Sequence, residues 1–250
     1  MLSELRMKLE TDDNTISYYQ SSNLQGVLME QIDSIYADKL HQQGLNPYSQ
    51  HIEQNGNDIV WVVNTLNQEA YQNMILPLLA GEFQGFQIEK KNLSVRIARK
   101  DLVIVNKQDL LEEFYQKTAD KFLNIEFVTP TAFKRQGRYV IMPDLRLIYQ
   151  SLMNKYSASS DDMEMYDEET LEQMVACSDI VQYRLRSCFF PIEGIKIPAW
   201  KGEITIHIFG TDTMARYVRF LARFGEYSGV GIKTAMGMGA IRLKLKEGTK

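Results

Sequence analysis

Three histidines, His41, His51 and His207, are the only side chains of this 250-residue chain that ordinarily exchange protons near neutral pH. Neither Cys177 nor Cys188 belongs to a C-x-x-C pair or has a histidine nearby, which argues against a structural zinc site and a disulfide scaffold. No His, Asp and Glu grouping has metal-ligand spacing, and no cofactor motif is present. The chemistry within reach is therefore general acid–base catalysis without metal or cofactor. Such catalysis needs a positioned group that exchanges protons near neutral pH, for which histidine is the natural choice.

The histidines differ in setting. Leu24, Val27, Leu28, Ile32 and Ile35 recur at helical spacing and predict one helix from Asn23 to about Leu40, with these residues on its apolar face. His41, at the end of that helix, points away from them alongside Glu30, Ser34 and Ala37. It is the candidate catalytic residue, and the competing role is an exposed histidine that merely suits the helix dipole. His51 follows PYSQ in an expected loop. His207 alternates with Ile204, Ile206 and Ile208, which places it with Thr205 and Phe209 on the other face of a strand.

The segment FGEYSGVGIKTAMGMGAIRL, 224–243, contains Gly229, Gly231, Gly237 and Gly239 with Lys233 among them. A phosphate-loop motif fails because Ile232 precedes Lys233–Thr234, and a dinucleotide fingerprint fails because Thr234 stands where a third glycine belongs. What remains is a loop between a helix and a last strand. It serves either close backbone packing or the cradling of an anion, with Lys233 in support.

A net charge of −4 hides an asymmetry. Residues 1–125 carry 11 basic and 17 acidic side chains, whereas residues 126–250 carry 17 and 15. Seven of those acids lie in the run 161–172, which reads as a solvated loop, so the rest of that half is strongly basic. Local basic patches on an acidic protein still bind phosphate. Candidates are Lys134, Arg135 and Arg138 in a KRQGR turn, Arg184 and Arg186 on one strand face, and Arg216, Arg219 and Arg223 on one helix side. That helix presents Met214, Tyr217, Val218 and Leu221 on its apolar side, and it leads toward Lys233 as one expected phosphate track.

The elements needed to position these groups follow from periodicity. The first half reads as a strand at 2–9, the helix just described, a strand at 59–66, a helix through Leu79 that Pro77 disturbs, strand pieces over 85–105 and a helix at 108–119. The second reads as a strand at 125–133 with Pro130 at an edge or bulge, a helix at 144–156, a polar loop at 157–168 and a short helix. Strands at 179–190 and 195–209, a helix at 211–224 and a final strand complete it. The pattern predicts an α+β fold of tandem ferredoxin-like (RRM-like) β-α-β-β-α-β domains, divided as 1–122 and 123–250. The aromatic strand signature of a generic RRM is absent. The opening MLSELRMKLE alternates polar and apolar residues, unlike a signal peptide, and no stretch approaches the ~18 apolar residues of a membrane span. A cytoplasmic protein is expected.

Three stretches carry a resemblance in the same order: LHQQGLNPYS at 40–49, FVTPTAFKRQGRYVIMPDLRLIYQSLMNKY at 127–156, and the glycine-rich segment. Together they resemble the repeat-processing endoribonuclease of the RAMP superfamily of CRISPR-associated proteins, in a form accompanying type III systems. The resemblance implies that the substrate is CRISPR repeat RNA in the precursor transcript and that His41 is catalytic. It also implies that basic groups of the second half hold the RNA while the glycine-rich loop shapes the cleft. Some relatives add a tyrosine and a lysine to the histidine. Here Met29 stands at the tyrosine position and no lysine lies between His41 and Tyr48, leaving Tyr36, Lys39 and Tyr48 as alternatives for a supporting role. A catalytically silent RAMP-type subunit of an effector complex is the alternative function, and both contact with a type III effector complex and a homodimer are left open.

Overall fold

A computed structural model describes residues 1–11, 16–42, 44–56, 58–88, 92–116, 120–160, 166–192 and 194–244. The first half runs β1 (Leu2–Glu10), a 3₁₀ turn (Tyr18–Gln20), α1 (Ser21–Glu30), α2 (Ser34–Gln42), β2 (Tyr48–Asn55) and β3 (Asp58–Thr65). It continues through α3 (Gln68–Ala70), a π turn (Tyr71–Ile75), α4 (Leu76–Leu79), β4 (Gly85–Ile88), β5 (Leu93–Val105) and α5 (Lys107–Gln116). The second half comprises β6 (Phe122–Thr131), the hairpin β7 (Phe133–Arg135) and β8 (Arg138–Val140), α6 (Leu145–Ala158) and α7 (Glu168–Ala176). Then come β9 (Ser178–Ile192), β10 (Ile195–Ile208), α8 (Asp212–Ser228), a 3₁₀ turn (Thr234–Met236) and β11 (Ile241–Lys244).

Strand alternation builds two sheets, each with one greasy side. Leu5, Met7 and Leu9 of β1 are buried with Ile59, Trp61 and Val63 of β3, against α1 and the α3–α4 segment. In the second half Leu123, Ile125 and Phe127 of β6 join Ile204, Ile206 and Ile208 of β10 beneath α6 and α8. All pairings are antiparallel, in the orders β2-β3-β1-β5-β4 and β11-β6-β10-β9. Apart from the added edge strand β4, both orders are that of the ferredoxin-like fold.

Three local expectations need correction. The helix expected over 23–40 is two helices. The Asp33 carboxylate accepts from the Ile35 amide at 2.8 Å and its carbonyl from the Ala37 amide at 2.9 Å, so Asp33 starts α2 afresh. Beyond that break Ile35 leaves the apolar face and is 80% exposed. His51 lies in β2, not in a loop, and is buried. Of the two settings expected for Pro130, the bulge holds and the edge does not: β6 runs between β11 and β10, and Pro130 sits where its register against β10 shifts between Trp200 and Gly202. Among the expected loops and helix ends, 117–119 and 161–165 lie outside the described residues.

The two halves meet through polar contacts on the open face of the first sheet. Glu53 accepts from His51 Nε2 at 3.1 Å, from Arg6 at 2.6 Å and from Arg242 of β11 at 2.7 Å. Burial pushes its carboxyl pKa up, but His51, Arg6 and Arg242 outweigh that together and hold it well below the usual range. Ser49 donates to the Tyr227 carbonyl at 2.5 Å, which seats the end of α8 on β2.

Candidate active site

Breaking the first helix changes what its end can do. His41 occupies the last turn of α2 and is exposed. It lines a groove of about 490 Å³ with Ser22, Gln25, Met29 and Glu30 of α1 and Gln87 of β4. Ile192 of β9 and Met236 of the glycine-rich loop also line it. The groove leaves the ring open to a substrate. Met29, at the position matched to a tyrosine in some relatives, faces the same groove as His41.

None of the three alternatives for a supporting group lines that groove. Lys39 Nζ is 2.5 Å from Glu69 Oε1, directed at α3. Tyr36 and Tyr48 are buried in the first core. Burial pushes the Tyr48 hydroxyl pKa up to about 12, and the group accepts from Gln25 Nε2 at 3.3 Å. Burial likewise raises Tyr36, whose hydroxyl has no hydrogen-bond partner among the described residues. Of the polar neighbours that do share the groove, Ser22, Asn23, Gln25, Glu30 and Gln87, the two glutamines gave no sequence signal, since an amide at a helical or strand position is ordinary.

The glycine-rich loop packs between the halves. Gly237 and Gly239 have φ of 104° and 72°, and a Cβ on Gly237 would stand 2.2 Å from that of Ser21 at the start of α1. On Gly239 it would stand 2.0 Å from the Val230 carbonyl oxygen. Both positions demand glycine on conformation and on space. Gln50 donates to the Ala235 carbonyl at 3.2 Å and the Ser21 carbonyl at 2.7 Å, tying loop, α1 and β2 together. Lys233, with φ of 57°, is exposed on the loop.

The basic candidates fall into three settings. In the β7–β8 hairpin, Gln136 and Gly137 have φ of 51° and 79°, a two-residue turn whose twist suits its strands. It presents Lys134, Arg135 and Arg138, of which Arg135 bonds Asp144 at 3.1 Å. Arg184 and Arg186 share the open face of the second sheet. Arg184 contacts Glu203 at 3.3 Å, and Arg186 lines an inter-sheet cleft with Tyr18, Lys201 and Arg242. Lys201 Nζ lies 5.2 Å from the Tyr18 ring centroid. His207 stacks on Phe122 at 4.5 Å on that open face.

The third setting departs from the expected track. Helix α8 buries more than one side, including Phe220, Ala222 and Phe224. Arg219 donates to the Phe122 carbonyl at 3.1 Å and faces Asp120 at 3.7 Å. Arg223 pairs with Glu226, and Arg216 is half-buried. Arg219 and Arg223 are thus engaged within the fold, whereas Arg216 Nε has no hydrogen-bond partner among the described residues.

Two ferredoxin-like units thus meet through a glycine-rich loop beside the groove that holds His41. Comparison with known proteins supplies the family. The family profile for CRISPR-associated endoribonuclease Cas6 matches residues 125–241. A CRISPR-associated endoribonuclease Cas6 of Streptococcus thermophilus is 38% identical over 223 residues, covering 88% of this chain and 89% of the relative. Another from Mycobacterium tuberculosis is 34% identical over 247 residues, covering 97% and 78%. A solved Cas6 product complex superposes with a TM-score of 0.79 at 21% identity, covering 98% and 99%. The chain belongs to the family of CRISPR-associated endoribonuclease Cas6.

Proposed function

We propose that the chain cuts CRISPR repeat RNA within the precursor transcript, with His41 as its general acid–base group. The observation that carries this assignment is the groove itself. Of the three histidines, His41 is exposed in a groove reached from both halves, whereas His51 is buried on Glu53 and His207 is stacked on Phe122. The 2′-hydroxyl of the bound nucleotide attacks the adjacent phosphorus and the 5′-oxygen leaves. His41 moves the proton, and the products carry 2′,3′-cyclic phosphate and 5′-hydroxyl ends. Tyr36, Lys39 and Tyr48 act at most on the shape of α2, and Gln25 and Gln87 orient the phosphate. With so little supporting chemistry, positioning of the RNA supplies much of the rate.

RNA is held by the second half through Lys134, Arg135, Arg138, Arg184, Arg186 and Lys233, with Arg216, Arg219 and Arg223 in a lesser role. The glycines 229, 231, 237 and 239 shape the cleft. The working units are 1–122, carrying the histidine, and 123–250, carrying the loop. No helix of the described residues is long and apolar enough to cross a membrane, and the proposed site of action is the cytoplasm. A homodimer and transient contact with a type III effector complex belong to the same reading. The decisive assay incubates the purified chain with repeat RNA in excess EDTA and analyses the product ends. One cut leaving a cyclic phosphate is expected; tight binding without cutting would instead support a silent RNA-binding subunit.

A further inference from the structure

The second half contains a buried cation that the cleavage chemistry does not use. Lys155, on α6, is 6% exposed. Its Nζ lies 3.2 Å from the Ser228 carbonyl oxygen, 3.1 Å from the Gly229 carbonyl oxygen and 3.2 Å from Thr234 Oγ1. An ammonium has three N–H groups, and three oxygens receive them. Two of these are the last carbonyls of α8 and its cap, where a cation also meets the negative end of the helix dipole. One turn earlier on α6, Ser151 Oγ accepts from the Gly231 amide at 2.9 Å. Helix α6 thus grips the glycine-rich loop at both of its first turns.

What the loop does beyond this grip makes the lysine more than a helix cap. Past Thr234 it places Met236 in the wall of the His41 groove and Gly237 against Ser21 of α1. Just before Thr234 it exposes Lys233. We infer that Lys155 is the positioning residue that sets the glycine-rich loop for RNA, and that its charged form is the binding-competent one. This inference rests on the proposed function, in which the loop shapes the RNA cleft. Losing one proton leaves the amine two N–H groups for three oxygens, and one loop oxygen loses its donor.

No charged side chain of α6, α8 or the loop acts on Lys155. Burial alone lowers its pKa, to about 7 from an ordinary 10.5. Two opposite pH trends follow. The unfolded chain keeps this proton up to the ordinary value, so the lysine's contribution to fold stability rises with pH from about 7 to about 10.5. A phosphate settling on the loop raises the lysine's pKa, so binding takes up a proton and RNA affinity falls as pH rises above about 7 toward that raised value. A lysine with only a structural role shows the first trend and not the second.

The test uses the full chain and repeat RNA. Lys155→Met is expected to raise KM about tenfold with kcat within about threefold, the scale of one or two lost loop hydrogen bonds. In a His41→Ala background, which removes cutting, RNA affinity should fall between pH 7 and pH 9. Adding Lys155→Met should flatten that fall. Should Lys155→Met fold poorly, Thr234→Val, which deletes one acceptor and keeps the side-chain shape, decides by the same rise in KM. An unchanged KM and an unchanged pH profile in whichever variant folds would overturn the inference, with wild-type cutting still upholding the function. Wild-type protein that neither binds nor cuts repeat RNA would overturn both.

Discussion

Helices α1–α2 and α6 occupy the same place in two copies of one topology, yet they carry opposite kinds of cation-forming side chain. The first is interrupted at Gln31–Asp33, and its second piece ends on an exposed His41 beside a groove. The second is an unbroken helix of 14 residues that buries Lys155 under the glycine-rich loop. After the interruption α2 keeps Tyr36 and Leu40 on the core and turns Ile35 and His41 outward, which frees a side chain for solvent and substrate. The unbroken helix keeps its stripe and uses a buried charge to hold backbone. On the proposed function, one topology supplies the reacting group in one half and a fixed loop in the other, and His41 and Met236 of that loop line the same groove.

The largest expected effect tests the chemical half of that comparison. His41→Ala should lower cleavage by roughly 10²–10⁴-fold while RNA affinity stays nearly intact. Single-turnover cleavage alongside equilibrium binding separates the two. Unchanged cleavage would sink the assignment of His41, and an equal loss of binding would make His41 a contact residue.

The joint between the halves comes next. Glu53→Gln leaves Arg6 and Arg242 without their shared carboxylate and should cost about 1–3 kcal/mol of stability, discounted for the partial exposure of both arginines. The sign with pH is fixed by the lowered carboxyl pKa of Glu53. Its contribution is complete above the ordinary carboxylate value of 4.5 and is lost as pH falls toward the folded value. Denaturant melts from pH 7 down to pH 3 should therefore show the wild type and Glu53→Gln converging on acidification. Parallel curves would mean that the carboxylate does not join the halves.

A smaller effect probes the binding half. Replacing Lys134 and Arg138 together by alanine should weaken repeat-RNA binding about tenfold and lower the salt slope by about two, with saturated cleavage preserved. Binding titrations at several salt concentrations read both quantities. A loss confined to saturated cleavage would put the hairpin beside the chemistry and undo the division of labour.

How much of this was legible in the sequence depended on which face a residue served. The two ferredoxin-like units followed from alternating strands such as Ile204–Ile208 and from the α8 stripe. The β7–β8 hairpin followed from its Gln-Gly turn. Strand β2, YSQHIEQN, was missed because its open side carries Ser49, His51 and Glu53, which pair across the joint between halves instead of facing a greasy core. The break before α2 was missed because Asp33 acts through one carboxylate hydrogen bond and leaves the apolar spacing almost intact. Lys155 was invisible for a plainer reason: local sequence does not show which helical lysine will find three oxygens from a segment more than 70 positions away.

The smallest expected effect concerns α8, where sequence and structure pull apart. Arg216, Arg219 and Arg223 share one helix side, which read from sequence as a phosphate track. In the fold Arg219 is directed at Phe122 and Asp120, and Arg223 at Glu226. An arginine already holding a carbonyl and a carboxylate must give up those contacts before it can neutralise a phosphate, so the net gain is small. Arg216→Ala with Arg219→Ala should therefore weaken binding only about two- to threefold and flatten the salt slope by less than one, against about two for the hairpin pair. A loss as large as the hairpin's would show that these arginines exchange their internal partners for RNA. The binding surface would then extend along α8, and the second half would hold RNA on its helices as well as its sheet.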